Sequence, residues 1–173
     1  MATTAREAST VAPPASLRLP GIVLGVGLGE FVDGILLHQI MRWYYLLDSN
    51  GPDLPYAHPD TVTGLRMNSV WDGVFHAMCW LSLLTGLGLL HARATRNRRR
   101  IWASRALWGW ILTGWGLFNL VDGIVDHHVL GIHHIHAGPR QLWWDIGYLV
   151  LSALLVAGGY LLQRSARSAG RAV

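Results

Sequence analysis

Four long apolar stretches run along the chain, at about 20–47, 68–92, 104–130 and 142–163, with polar segments between them. Each is at least as long as the roughly 20 residues a helix needs to cross the hydrocarbon core of a bilayer. Charges do not recur along them at the helical period that gives a soluble bundle its solvated face. The pattern predicts an all-α integral membrane four-helix bundle over residues 20–163. The first 19 residues, rich in Ala, Thr, Ser and Pro, read as a disordered tail, and residues 164–173 as a basic C-terminal tail. The apolar run after the tail is too long for a signal peptide and carries Glu30 and Asp33, so the first span is expected to be retained.

Composition agrees with this. Hydrophobic residues make up 51% of the chain and charged ones 14%, against about 25% charged in soluble domains. All basic residues are Arg, and they are unevenly placed. Arg93, Arg96, Arg98, Arg99, Arg100 and Arg105 lie between the second and third stretches, Arg164, Arg167 and Arg171 at the C-terminus, and Arg6 and Arg18 at the N-terminus. With four spans these segments share one face, and positive charge stays cytoplasmic. The chain is therefore expected in the cell membrane with both termini inside. The Arg cluster reads as a topology signal rather than a nucleic-acid patch. Expected partners are the lipid bilayer and a further membrane protein or a second copy as homodimer. Trp43, Trp71, Trp143 and Trp144 fall near the outer interface, and Trp102, Trp108 and Trp110 near the inner one, an aromatic belt at each side.

The acidic residues mirror the Arg. Only Glu7 is on the cytoplasmic side; Asp48, Asp53 and Asp60 fall in the first outer loop, and Glu30, Asp33, Asp72, Asp122, Asp126 and Asp145 lie inside the apolar stretches. Some of these recur. VDGILLH at 32–38 and VDGIVDH at 121–127 agree at five of seven positions, Glu30 and Asn119 precede them equivalently, and the second and fourth stretches both open on Trp-Asp (VWDG, 70–73; WWDI, 143–146). Spans one and two thus read as a copy of spans three and four, with a pseudo-twofold axis along the membrane normal. The two Asp/His pairs are then expected to face one another.

All four stretches deliver acid or imidazole to their outer halves. A carboxylate facing lipid costs several kcal/mol, so these groups should turn inward and pair. The outer half holds too few Arg to satisfy them, and a divalent transition metal would. Imidazole suits zinc, copper and iron, and carboxylate favours harder ions. The candidate ligands are His38, Asp72, His76, Asp122, Asp126, His127 and His128, with His133, His134 and Asp145 ranked behind them. Glu30 and Asp33, deeper, are candidate proton carriers. Asp72 and His76 stack at i, i+4, as do Asp122 and Asp126, with His127 about 80–100° round. The single Cys, Cys79, excludes an internal disulfide and a Cys-rich site; with few Met it also argues against copper(I). It reads as a core residue, and Gly21, Gly25 and Gly29 read as helix packing. His58 and His91 carry no chemistry, and the HHIH loop (His133, His134, His136) is either a solvated loop or a further ligand set.

The motifs FVDGILLHQIMRW (31–43), WDGVFHA (71–77), FNLVDGIVDHHVLGIHHIH (118–136) and WWDIGYL (143–149) resemble an uncharacterised bacterial family of four-span membrane proteins, domain of unknown function 2243. The resemblance covers the membrane core and implies no activity. Function stays open among four readings: a metal site for metal handling or metal-assisted redox or hydrolytic chemistry, with enzyme status undecided; a b-type haem protein ligated by His38 and His127; a proton or cation relay; and a structural assembly partner.

Overall fold

The computed structural model describes residues 16–46, 60–97, 104–136 and 138–169. Most of the N-terminal tail, Asp48, Asp53, His58 and Arg98 to Arg100 lie outside them. Four helices follow in order: α1 (Arg18–Val32), which continues as a π-helical segment (Asp33–Met41); α2 (Val62–Asn97); α3 (Arg105–Asp122), continued by a second π-helical segment (Gly123–Val129); and α4 (Gln141–Ala169). There is no strand among the described residues. Side-chain caps start two of the helices. Thr61 Oγ1 accepts the Gly64 N–H at 2.9 Å, and Ser104 Oγ accepts the Leu107 N–H at 3.0 Å, each satisfying a donor the helix leaves free.

Three helical stretches are long and apolar enough to cross a membrane: Arg18–Met41, Val62–Thr95 and Gln141–Ser168. The third expected span, α3, is not among them. It carries Trp108, Trp110 and Trp115, with Asn119 and Asp122, side chains that keep an apolar body beside a polar tip. Its place in the packing explains the tolerance. α1 packs on α2 and on α3, and α3 packs on α4, while α2 and α4 do not meet. The helices thus stand in a row, α2–α1–α3–α4, with α3 covered on two sides.

Glycines set the spacing. A Cβ at Gly25 would fall onto the Ile111 backbone, and one at Gly114 onto the Ile22 backbone, so α1 and α3 touch main chain to main chain. Gly21 meets Trp110 and Gly29 meets Trp115, so α1 and α3 run parallel; Leu24 meets Gly86 and Gly34 meets His76, so α2 runs antiparallel to α1. Gly109 meets Gln163 and Gly123 meets Tyr148, which sets α4 antiparallel to α3. The buried apolar core is small, formed by Leu24, Leu90, Leu107 and Ile111. Trp80, Leu81, Leu154 and Leu161 are more than half exposed. Outward apolar faces and small residues between helices are what packing in lipid selects, because no hydrophobic drive separates helix from solvent there. The directions gather the C-terminal ends of α1 and α3 with the N-terminal ends of α2 and α4. Every His and Asp of the candidate site sits at that end, and Arg93, Arg105, Arg164 and Arg167 at the other.

Candidate metal centre

Each π segment opens at an Asp-Gly pair, Asp33-Gly34 and Asp122-Gly123. In an α-helix, residues five apart sit about 140° round from one another. A π turn bonds i to i+5 and brings them together. Asp33 and His38 therefore pair within one turn, Oδ2 to Nε2 at 3.5 Å, and Asp122 and His127 do the same at 3.5 Å. The flanking helices add one carboxylate each. Asp72 Oδ1 stands 3.2 Å from His38 Nδ1, and Asp145 Oδ1 stands 3.2 Å from His127 Nδ1.

The chain then folds back over both turns in the same way. Arg42 (φ 53°) and Gly131 (φ 59°) adopt the left-handed conformation. The Trp43 N–H donates to Leu37 O at 3.0 Å, and the Ile132 N–H to Asp126 O at 2.9 Å. These returns carry Tyr44 and His133 back to the acids, where their rings stack at 4.7 Å and 15°. Here the two sides differ. The Tyr44 hydroxyl lies 2.9 and 2.8 Å from the two Asp33 oxygens and saturates them. His133 Nε2 approaches Asp122 Oδ1 no closer than 3.9 Å.

Asp122, His127 and His133 each offer one ligand atom, all within 4.8 Å of one another. Asp122 Oδ2 and His127 Nε2 face one another at 3.5 Å, and with His133 Nε2 they are buried without a well-formed hydrogen bond among the described residues, a costly arrangement for polar atoms. Ligands about 2.0–2.2 Å from a zinc-sized ion stand roughly 3.3–3.6 Å apart in a tetrahedron. The Asp122–His127 separation, 3.5 Å, already matches, while the set as a whole spans up to 4.8 Å and has to draw together by up to about 1 Å. Burial, with the imidazoles of His127 and His38 alongside, pulls His133 from 6.5 down to about 3, so it stays in the neutral form that binds metal. The residues present fit a transition ion held by two imidazoles and one carboxylate.

Asp145 braces this group. Besides facing His127 Nδ1, it accepts from His134 Nδ1 at 2.8 Å and from the Ile135 N–H at 3.1 Å. A carboxylate behind a ligating imidazole fixes ring orientation and raises basicity. Asp145→Asn is expected to weaken metal affinity roughly 10–100-fold without removing the site; competition titration with a chromophoric chelator checks this, and unchanged affinity would deny Asp145 the role.

The other candidates are placed apart from the three. His38 and Asp72 belong to the first half. His76 Nδ1 donates to Asp72 O at 2.6 Å and lines, with His38, Asp72 and Asn68, an open polar cavity of about 620 Å³. His128 is exposed and donates to Gly123 O at 2.8 Å, within the π turn. Asp126 is half-buried beside Asp122, and His136 packs between Trp43 and Trp144. Asp33 is buried under Tyr44; Glu30, one turn below, keeps a buried carboxylate oxygen without a partner. The Tyr44 and His133 rings pack against both the His38 and the His127 rings. Tyr44 and His133 are separated by the same 89 residues as His38 and His127.

Fold and site together define an all-helical membrane protein with a buried His/Asp cluster at one end of its helices. The chain belongs to the family described as predicted membrane proteins (DUF2243), whose model matches residues 20–166. No curated protein and no solved structure matches it.

Proposed function

We propose that this chain is a four-span protein of the cell membrane that holds one divalent transition metal through Asp122, His127 and His133, at the outer face of two duplicated two-helix units. The observation carrying this reading is the convergence of those three buried ligand atoms, none with a well-formed hydrogen bond among the described residues. The chain turns at Arg42 and Gly131, the matched Asp–His–Asp distances and the reciprocal Gly25 and Gly114 contacts support the duplication. The Arg-bearing helix ends support cytoplasmic termini, which puts the site outside.

Three protein ligands leave coordination positions open, as catalytic rather than structural sites do. An ion there supplies Lewis acidity and a lowered water pKa. The protein's own part is to exclude bulk water, hold His133 neutral and place the Asp145 carboxylate beside His127 Nδ1. A second cavity, about 440 Å³ and lined by Val32, Leu36, Trp43, Trp115, Trp144 and Leu151, reaches Asp33 from between α1 and α4. Its lining includes Asp33 but none of Asp122, His127 and His133, so the reading stays metal handling or metal-assisted redox or hydrolytic chemistry with no substrate named.

Elemental analysis with an absorption spectrum of detergent-purified protein tests it. One zinc, iron or copper per chain is expected. No ion after reconstitution with each metal would end the reading, and a Soret band would replace it with a haem.

A further inference from the structure

The two halves present the same cage, with one difference. By a single constant shift along the sequence, Asp33, His38 and Tyr44 map onto Asp122, His127 and His133. Asp72 and Asp145, each following a Trp, stand behind the two imidazoles, although Asp72 lies well inside α2 and Asp145 near the start of α4. The geometry repeats atom for atom: 3.5 Å from carboxylate to Nε2 in each half, and 3.2 Å from Nδ1 to the flanking carboxylate in each half. His38 Nε2, like His127 Nε2, is buried without a hydrogen-bond partner, and its side chain is 2% exposed. The third corner decides the difference. In one half it is an imidazole 3.9 Å from Asp122, whose carboxyl also faces His127, Asp126 and Tyr148; in the other it is a phenol whose hydroxyl stands between both Asp33 oxygens.

We propose that Asp33, His38 and position 44 form a second transition-metal cage, closed in this chain because the Tyr44 hydroxyl stands where the ion would be. A neutral phenol satisfies the carboxylate by donating one proton. A metal would have to displace that proton and recruit a phenolate, whereas imidazole at the same corner offers a lone pair at neutral pH. The closed half then acts as a fixed wall, stacking Tyr44 on the working ligand His133.

This inference rests on the metal reading above, and the experiment separates the two. Zinc per folded chain is measured by elemental analysis after reconstitution and gel filtration. The native protein is expected to hold one zinc and Tyr44→His two, with the added ion lost when His38→Ala is combined with it. His38→Ala alone is expected to keep one. A native chain with no zinc sinks the metal reading itself. One zinc in both native and Y44H protein sinks only the second cage. Iron(III)-loaded native protein gives a check that needs no Y44H folding. A phenolate-to-iron charge-transfer band that disappears in Tyr44→Phe would make Tyr44 a ligand and overturn its role as a plug; no such band, with iron bound, is the result expected.

Discussion

His127→Ala is expected to strip the transition metal from the purified protein, lowering its affinity by well over the roughly 100-fold upper range for losing a supporting carboxylate. The imidazole is the corner of the cage with most support. Its Nε2 faces Asp122 Oδ2 at 3.5 Å, its Nδ1 faces Asp145 at 3.2 Å, and its ring stacks on Tyr148 at 5.5 Å. Ala leaves one imidazole and one carboxylate, too few to hold an ion against water at micromolar concentration. His133→Ala should behave alike. His38→Ala serves as the contrast, because it removes an equally buried imidazole from the half that Tyr44 closes. Elemental analysis beside a thermal melt separates ligand loss from unfolding. If His127→Ala folds and keeps its ion, the ligand set named here is wrong.

The second large effect concerns the seam between α1 and α3. Gly25→Leu and Gly114→Leu each place a side chain against the main chain of the neighbouring helix, at Ile111 and Ile22 respectively. Overpacking typically costs 1–3 kcal/mol where side chains can give way. Here the obstacle is backbone, so a loss above about 3 kcal/mol is expected, seen as a collapse of the folded, monodisperse fraction in detergent. The two variants should fail to a similar degree, since their contacts are reciprocal. Gly88→Ala and Gly158→Ala, whose added Cβ meets nothing within 4 Å, should leave the melt within a few degrees. Equal damage at all four positions would show that the seam is not special.

The four helices were legible, and for three of them so was an apolar length that crosses a membrane, because lipid demands a long run of one character; α3 falls short of that combined length and apolarity. The fold-back at Arg42 was not, because Arg gives no sign of a left-handed backbone, whereas Gly131 does. The duplicated Asp-Gly motif was legible and identified the right turns. The i, i+4 spacing sets Asp122 beside Asp126, and the two interact; the π turn in addition brings His127 to Asp122 at 3.5 Å, a pairing that α-helical spacing does not give. The rank given to His133 reflects the same limit. It lies in a loop, and only the backbone return at Gly131 carries it over the end of α3.

The wide turn at 123–129 also ties helix form to occupancy. A ligand that grips Asp122 and His127 together can do so only while the backbone keeps its i+5 bonding. Sliding to ordinary α spacing would swing the imidazole away from the carboxylate. By reciprocity, whatever occupies the cage holds that turn open, and whatever relaxes the turn releases the occupant. Amide hydrogen exchange along 123–129 therefore reports on the cage from the main chain, slowing as it fills.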